Sequence, residues 1–158
     1  MYEKAAKAGA GSAKTERATL RERLGVTGRE FQEMGEIGAM FYQQGNLEKA
    51  RTIFEGLVEM DPSSGAAHSA LGALLTRMRQ DERALEHLNR AIELSPNQIA
   101  PRVNRAEVLL RQQKIEQAVA ELKRAIELDP KEIDPGANRA RAMVLGIHEA
   151  LQAHGSQA

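Results

Sequence analysis

Cysteine and tryptophan are absent from this chain, and two tyrosines and three phenylalanines make up its whole complement of large aromatic residues. Without cysteine there is no disulfide framework, no thiolate metal site and no cysteine nucleophile. No apolar run approaches the ~20 residues that cross a bilayer, and the N-terminus lacks the apolar stretch of a signal peptide. A cytoplasmic protein with no membrane insertion is therefore expected. Net charge is also missing, with 22 basic residues against 22 acidic. A balanced chain has no long-range field to gather nucleic acid, so no nucleic-acid partner is expected. The basic lean of the N-terminal segment, through Lys4, Lys7, Lys14, Arg17, Arg21 and Arg23, is broken by Glu3, Glu16 and Glu22 and reads as a solvated helix face.

What is present favours helix. Alanine, leucine, glutamate, glutamine and arginine dominate, all good helix formers. At 158 residues the chain is long enough for one cooperative body and too short for two ordinary domains with a linker.

The decisive pattern is a period. Pro62, Pro96 and Pro130 stand 34 residues apart, and four further columns keep the same interval. These are Gly38, Gly72 and Ala106; Ala50, Ala84 and Ala118; Phe54, Leu88 and Leu122; and Leu57, Ala91 and Ala125. Each column has a physical reason. Small residues at the first two let paired helices approach closely. Phe54, Leu88 and Leu122 fill the layer between units, where a buried side chain contributes about 1.5–3 kcal/mol. The prolines end one helix and admit the next, because proline lacks the donor that an interior helical position needs.

Small, bulky and proline columns at this period resemble the tetratricopeptide repeat (TPR) pattern over roughly residues 31–132. The resemblance implies an all-α, right-handed solenoid of three helix-turn-helix repeats, at about 31–64, 65–98 and 99–132 within 27–132. The aromatic residue that usually opens each unit is replaced by Met34, His68 and Arg102. Punctuation agrees with the register: Thr27 and Glu30 form a capping box, Gly45-Asn46 makes a turn, and Ser64, Asp81 and Asp134 read as N-caps. Helices are expected from about 28 to 44, then at 47–60, 65–78, 81–94, 98–112, 115–128 and 135–153. Residues 1–11 read as a flexible N-terminus and 12–26 as an N-terminal helix that docks weakly or pairs with another chain through Leu20 and Leu24, giving a candidate homodimer contact. Residues 133–154 read as a C-terminal capping helix, with Ala140, Met143, Val144, Ile147 and Leu151 on its apolar face.

No constellation suggests catalysis, and neither a metal site nor a cofactor is expected. His68, His87, His148 and His154 never fall at the spacing of a helical metal pair, and no serine has a nucleophile-elbow context. The functional surface is expected to be the concave groove of first helices. Registering the units from Phe31, Gly65 and Ile99 assigns Gly35, Ala39, Tyr42 and Gln43 to it from the first unit. The second gives Ser69, Ala73, Thr76 and Arg77, and the third Val103, Glu107, Leu110 and Arg111. That lining is small and largely apolar. It suits an extended or amphipathic apolar segment of another protein, with Tyr42 either an aromatic anchor or a packing residue.

Two finer resemblances bear on the partner. TPR members that grip the carboxylate tails of heat-shock chaperones carry Lys, Asn and Arg in the groove. Here Gly35, Ala39, Ala70, Ala100 and Asn104 stand at those places, so that clamp is absent. The stretches Phe41 to Pro62, Leu71 to Leu75 and Pro101 to Leu110 resemble the type III secretion translocator chaperones, which hold an apolar export substrate before secretion. The expectation is a non-catalytic binding module or chaperone. The alternative is a scaffold subunit of an envelope, secretion or motility complex, and an enzyme would have to be built from Glu107, Arg111 and Arg77, which read better as a salt-bridged rim.

Overall fold

The computed structural model describes residues 18–155, the side chains of the last two excepted; the N-terminus expected to be flexible lies outside them. Eight helices follow in order: α1 (Leu20–Arg23), α2 (Gly28–Gln43), α3 (Leu47–Met60), α4 (Gly65–Arg77), α5 (Asp81–Leu94), α6 (Ala100–Arg111), α7 (Ile115–Glu127) and α8 (Pro135–Gly155). There is no strand among the described residues. The chain is all-α, and α2–α3, α4–α5 and α6–α7 are three antiparallel pairs closed by α8.

Each pair forms because one small residue admits one large one. A Cβ on Gly38 would overlap the Phe54 ring, and one on Gly72 would lie 2.7 Å from the Leu88 side chain and 3.3 Å from its backbone nitrogen. The third pair places Ala106 against Leu122 in the same column, and both are fully buried. From these contacts grow two apolar clusters, one joining α2 to α5 together with Val108 of α6, and the other joining α6, α7 and α8.

The turn within each pair repeats as closely as the helices. Gly45, Arg79 and Gln113, again 34 residues apart, all have positive φ, at 77°, 60° and 60°. In each turn two N–H groups reach back to the last carbonyls of the first helix. For the third they run from Gln113 to Leu110 at 2.9 Å and from Lys114 to Leu109 at 2.9 Å. This is the left-handed helix ending that glycine suits best, and only the first unit has glycine.

Several helix starts follow the sequence reading and two depart from it. Thr27 and Glu30 form the capping box, Ser64 accepts from Ala67 N–H at 3.2 Å, and Asp134 accepts from Gly136 and Ala137. Asp81, in contrast, is the first helical residue rather than the N-cap; Gln80 holds that place, and the Asp81 carboxylate is turned toward Arg111 instead. At the N-terminus Thr19 is extended and caps α1 through its own box with Glu22, so the helix starts at Leu20 rather than running unbroken from residue 12. Residues 12–17 lie outside the described set.

His68 occupies the missing-aromatic column and is buried. Its Nε2–H donates to the Pro62 carbonyl at 3.1 Å, which leaves Nδ1 as the acceptor for the Nδ1–H of His87 at 2.9 Å. Burial first, then His68 and Arg83, hold the His87 pKa below its ordinary value, while Glu86 and Glu55 oppose the shift. The folded protein thus prefers neutral His87.

Two expectations follow. Gln113→Gly should raise stability by about 1 kcal/mol in urea denaturation, since glycine relieves the left-handed strain. Because the unfolded chain takes up the His87 proton more readily, stability should be full above the ordinary histidine value and fall as pH drops below it. Melting followed from about pH 7.5 to about pH 5 should show that decline, and His87→Gln should flatten it.

Candidate peptide-binding groove

The stacking of pairs is asymmetric. First helices come close along their backbones, α2 with α4, α4 with α6 and α6 with α8, whereas the backbones of α3 and α5, and of α5 and α7, stay apart. Helices close on one side and splayed on the other make a curved stack whose inner surface is lined by first helices.

A cleft of ≈ 580 Å³ opens between α2 and α4 on this arrangement. Its floor is Phe54 and Leu57 of α3, each 3% exposed. Gly35 and Ala39 form one wall, and Ala66, Ala67 and Ala70 the other. Small side chains on both walls keep the cleft open above this buried floor. Phe31, Gln32 and Glu36 extend the α2 side, and Gln32 donates to Glu36 at 3.0 Å along the rim. Arg21 closes one end, paired with Asp61 at 2.9 Å and lying 5.2 Å over the Phe31 ring. Its charge is thus already answered, and the cleft is apolar with the Glu36 carboxylate on its rim.

The structure brings only part of the sequence-derived lining to this cleft. Gly35 and Ala39 line it; Ser69 and Ala73 are half-buried on α4 but outside it. Thr76 and Val103, read as groove residues, are core instead, at 3% and 2% exposure. The Thr76 hydroxyl donates to the Gly72 carbonyl at 2.8 Å, and Val103 packs in the cluster with Ala140. The reason is the contact between adjacent first helices, which covers the positions that face the next one. Tyr42 is half-buried against the first cluster, and the Arg77 guanidinium sits 4.9 Å over its ring while donating to its carbonyl at 2.7 Å. Gln43 is exposed at the end of α2, and Leu110 is half-buried against the second cluster.

Glu107 and Arg111 form an ion-pair chain that does not include Arg77. Arg111 bridges Asp81 and Glu107, and Glu107 also meets Arg139 of α8. The hydrogen bond from Arg111 holds the Asp81 carboxyl below its ordinary range against the opposing effect of burial, and the same bond raises Arg111. Such a chain ties α5, α6 and α8 together; it leaves no free acid or base. Among the described residues no group of three or more His, Asp or Glu side chains is placed to hold a metal ion. Sequence reasoning missed Arg21, Gln32, Glu36, Ala66 and Ala67. The residues one turn earlier on each first helix, such as Gln32 and Ala66, were the available signal.

The tetratricopeptide repeat family model matches residues 40–99 and, in a second form, residues 82–144. The chain belongs to the tetratricopeptide repeat family. No curated protein matches it in sequence. Among solved structures it is similar to the type III secretion translocator chaperone SycD of Yersinia enterocolitica, at 20% identity over 81% of this chain and 97% of SycD, with a TM-score of 0.73. It is also similar to a chain of a type III secretion complex from Aeromonas hydrophila, at 21% identity over 85% of this chain and 91% of the other, TM-score 0.74. A third is PcrH of Pseudomonas aeruginosa, at 22% identity over 78% and 95%, TM-score 0.69. SycD has been solved with a peptide of the translocator YopD, and PcrH with the chaperone binding region of PopB. At these identities the likeness is one of fold.

Arg111→Met tests the ion-pair chain. It leaves the half-buried Asp81 carboxylate without its guanidinium and should cost roughly 1–3 kcal/mol in urea denaturation at neutral pH, between the values for exposed and buried pairs.

Proposed function

We propose that this chain is a non-catalytic protein-binding module that holds an extended or amphipathic apolar segment of another polypeptide in the cleft between α2 and α4. The observation that carries the reading is the cleft itself: an apolar floor of Phe54 and Leu57 between alanine and glycine walls, with charge confined to its rim, where Arg21 is paired with Asp61 and Glu36 accepts from Gln32. Apolar side chains of a partner would gain about 25 cal/mol per Å² buried there, and small walls demand no displacement to admit them. The residues of a carboxylate clamp are absent from the first helices, so a partner recognised mainly through an acidic terminus fits poorly.

Two similar folds have been solved, one with a peptide of the translocator YopD and one with the chaperone binding region of PopB, which favours a chaperone for a secreted partner. The scaffold reading, a permanent subunit of a larger complex, uses the same cleft with a fixed neighbour. Leu20 and Leu24, 39% and 62% exposed beside the cleft's Arg21 end, are where a second copy would meet this one. No helix among the described residues is long and apolar enough to cross a membrane.

Replacing Ala39 and Ala66 by glutamate puts two carboxylates on opposite walls, at half-buried and exposed positions whose loss does not empty the core. Captured from lysate of its native host, the wild-type protein should retain an apolar partner that the double variant loses at unchanged melting temperature. Equal retention by both would move the binding surface off the cleft.

A further inference from the structure

On the face away from the groove the backbones of successive second helices stay apart, so a crevice opens between them, and the two crevices are built differently. Between α3 and α5 the Arg83–Glu55 ion pair crosses at 3.0 Å, and Leu71 of α4 is fully buried. One repeat later the same columns carry Gln117, Asn89 and Arg105, so the crossing pair is lost and a guanidinium stands at the column of Leu71. What remains between α5 and α7 is a cavity of ≈ 450 Å³ with Leu85 and Leu109 among its walls.

Its charge is one-sided. Arg105 and Arg102 share the single carboxylate of Glu121, and the Nε of each arginine has no hydrogen-bond partner among the described residues. Lys114 lines the cavity and takes part in no ion pair among those residues. Two cations, Arg105 and Lys114, thus line the cavity against one anion that Arg102 also engages from outside it, a local surplus in a chain whose total charge is balanced. Partly apolar walls strengthen that field relative to open solvent. We propose that this crevice is a second docking site, which receives a glutamate or aspartate side chain from an acidic segment of a partner protein. The carboxylate would lie between Lys114 and Arg105. Arg105 already takes the Asn89 oxygen at 2.8 Å, so the Asn89 amide nitrogen and the Gln117 amide remain to bond the segment's backbone. An open trough between two helices suits a chain running along it better than a free dicarboxylate, which enclosed pockets hold. The site is independent of the apolar cleft.

The test is a titration of isotope-labelled protein, read by amide chemical shifts, with a capped peptide of alternating alanine and glutamate, its glutamine counterpart and free glutarate. The glutamate peptide should give saturable shifts centred on Asn89, Lys114 and Gln117, and the glutamine peptide none. Lys114→Glu, at an exposed position that makes no side-chain cap, should weaken the binding about tenfold, the loss of one charge-assisted contact. Absence of saturable shifts, shifts spread over cations all around the surface, or indifference to Lys114→Glu would each overturn the proposal. Glutarate binding as tightly as the peptide would overturn its assignment to a protein segment.

Discussion

The close approach of paired helices at Gly38, Gly72 and Ala106 sets everything else in this molecule. At Gly38 and Gly72 the space that a Cβ would need is taken by Phe54 and Leu88, so pair geometry is fixed by steric exclusion as well as by burial. Once pairs are formed at that distance, first helices meet first helices while second helices splay. The curvature that results opens the apolar cleft on one side and the polar crevice on the other. Both candidate binding surfaces are therefore consequences of one packing rule applied three times.

Where the repeats differ, the interior changes character. The first two pairs share a continuous apolar cluster, which Val108 of the third pair joins. In the third, arginine stands at the aromatic column and again at the column of Leu71, and the junction with the second pair is tied by Arg111–Asp81 and the bond from Arg105 to Asn89. Ion pairs of this kind fix register but add less net stability than the apolar contacts they replace. Repeat identity is thus expressed as a gradient, from an apolar N-terminal half that holds the cleft to a more polar C-terminal half closed by α8.

Most of the architecture was legible in the sequence, because the columns report steric needs that only small residues, bulky residues or proline meet. Helix pairing, the Thr27 capping box and the closing role of Ala140 and Met143 follow directly from type and spacing. Thr76 and Val103 were not legible as core: helical register gives the face of a residue but not how closely the next first helix covers it. The left-handed residues at Arg79 and Gln113 were hidden as well, since only Gly45 advertises the conformation and its two counterparts adopt it at a cost the surrounding hydrogen bonds offset. Asp81 looked like an N-cap by type, yet the distant Arg111 competes for its carboxylate.

The central claim is that the inner surface between α2 and α4 holds the partner. Hydrogen exchange measured on the protein with its captured partner tests this most directly, because the first and second helices give separable peptides. The account predicts slowed exchange concentrated in residues 31–39 and 64–70, with α3 and α5 unchanged on their outer faces. Protection confined to the second helices, with none in those two stretches, would contradict it.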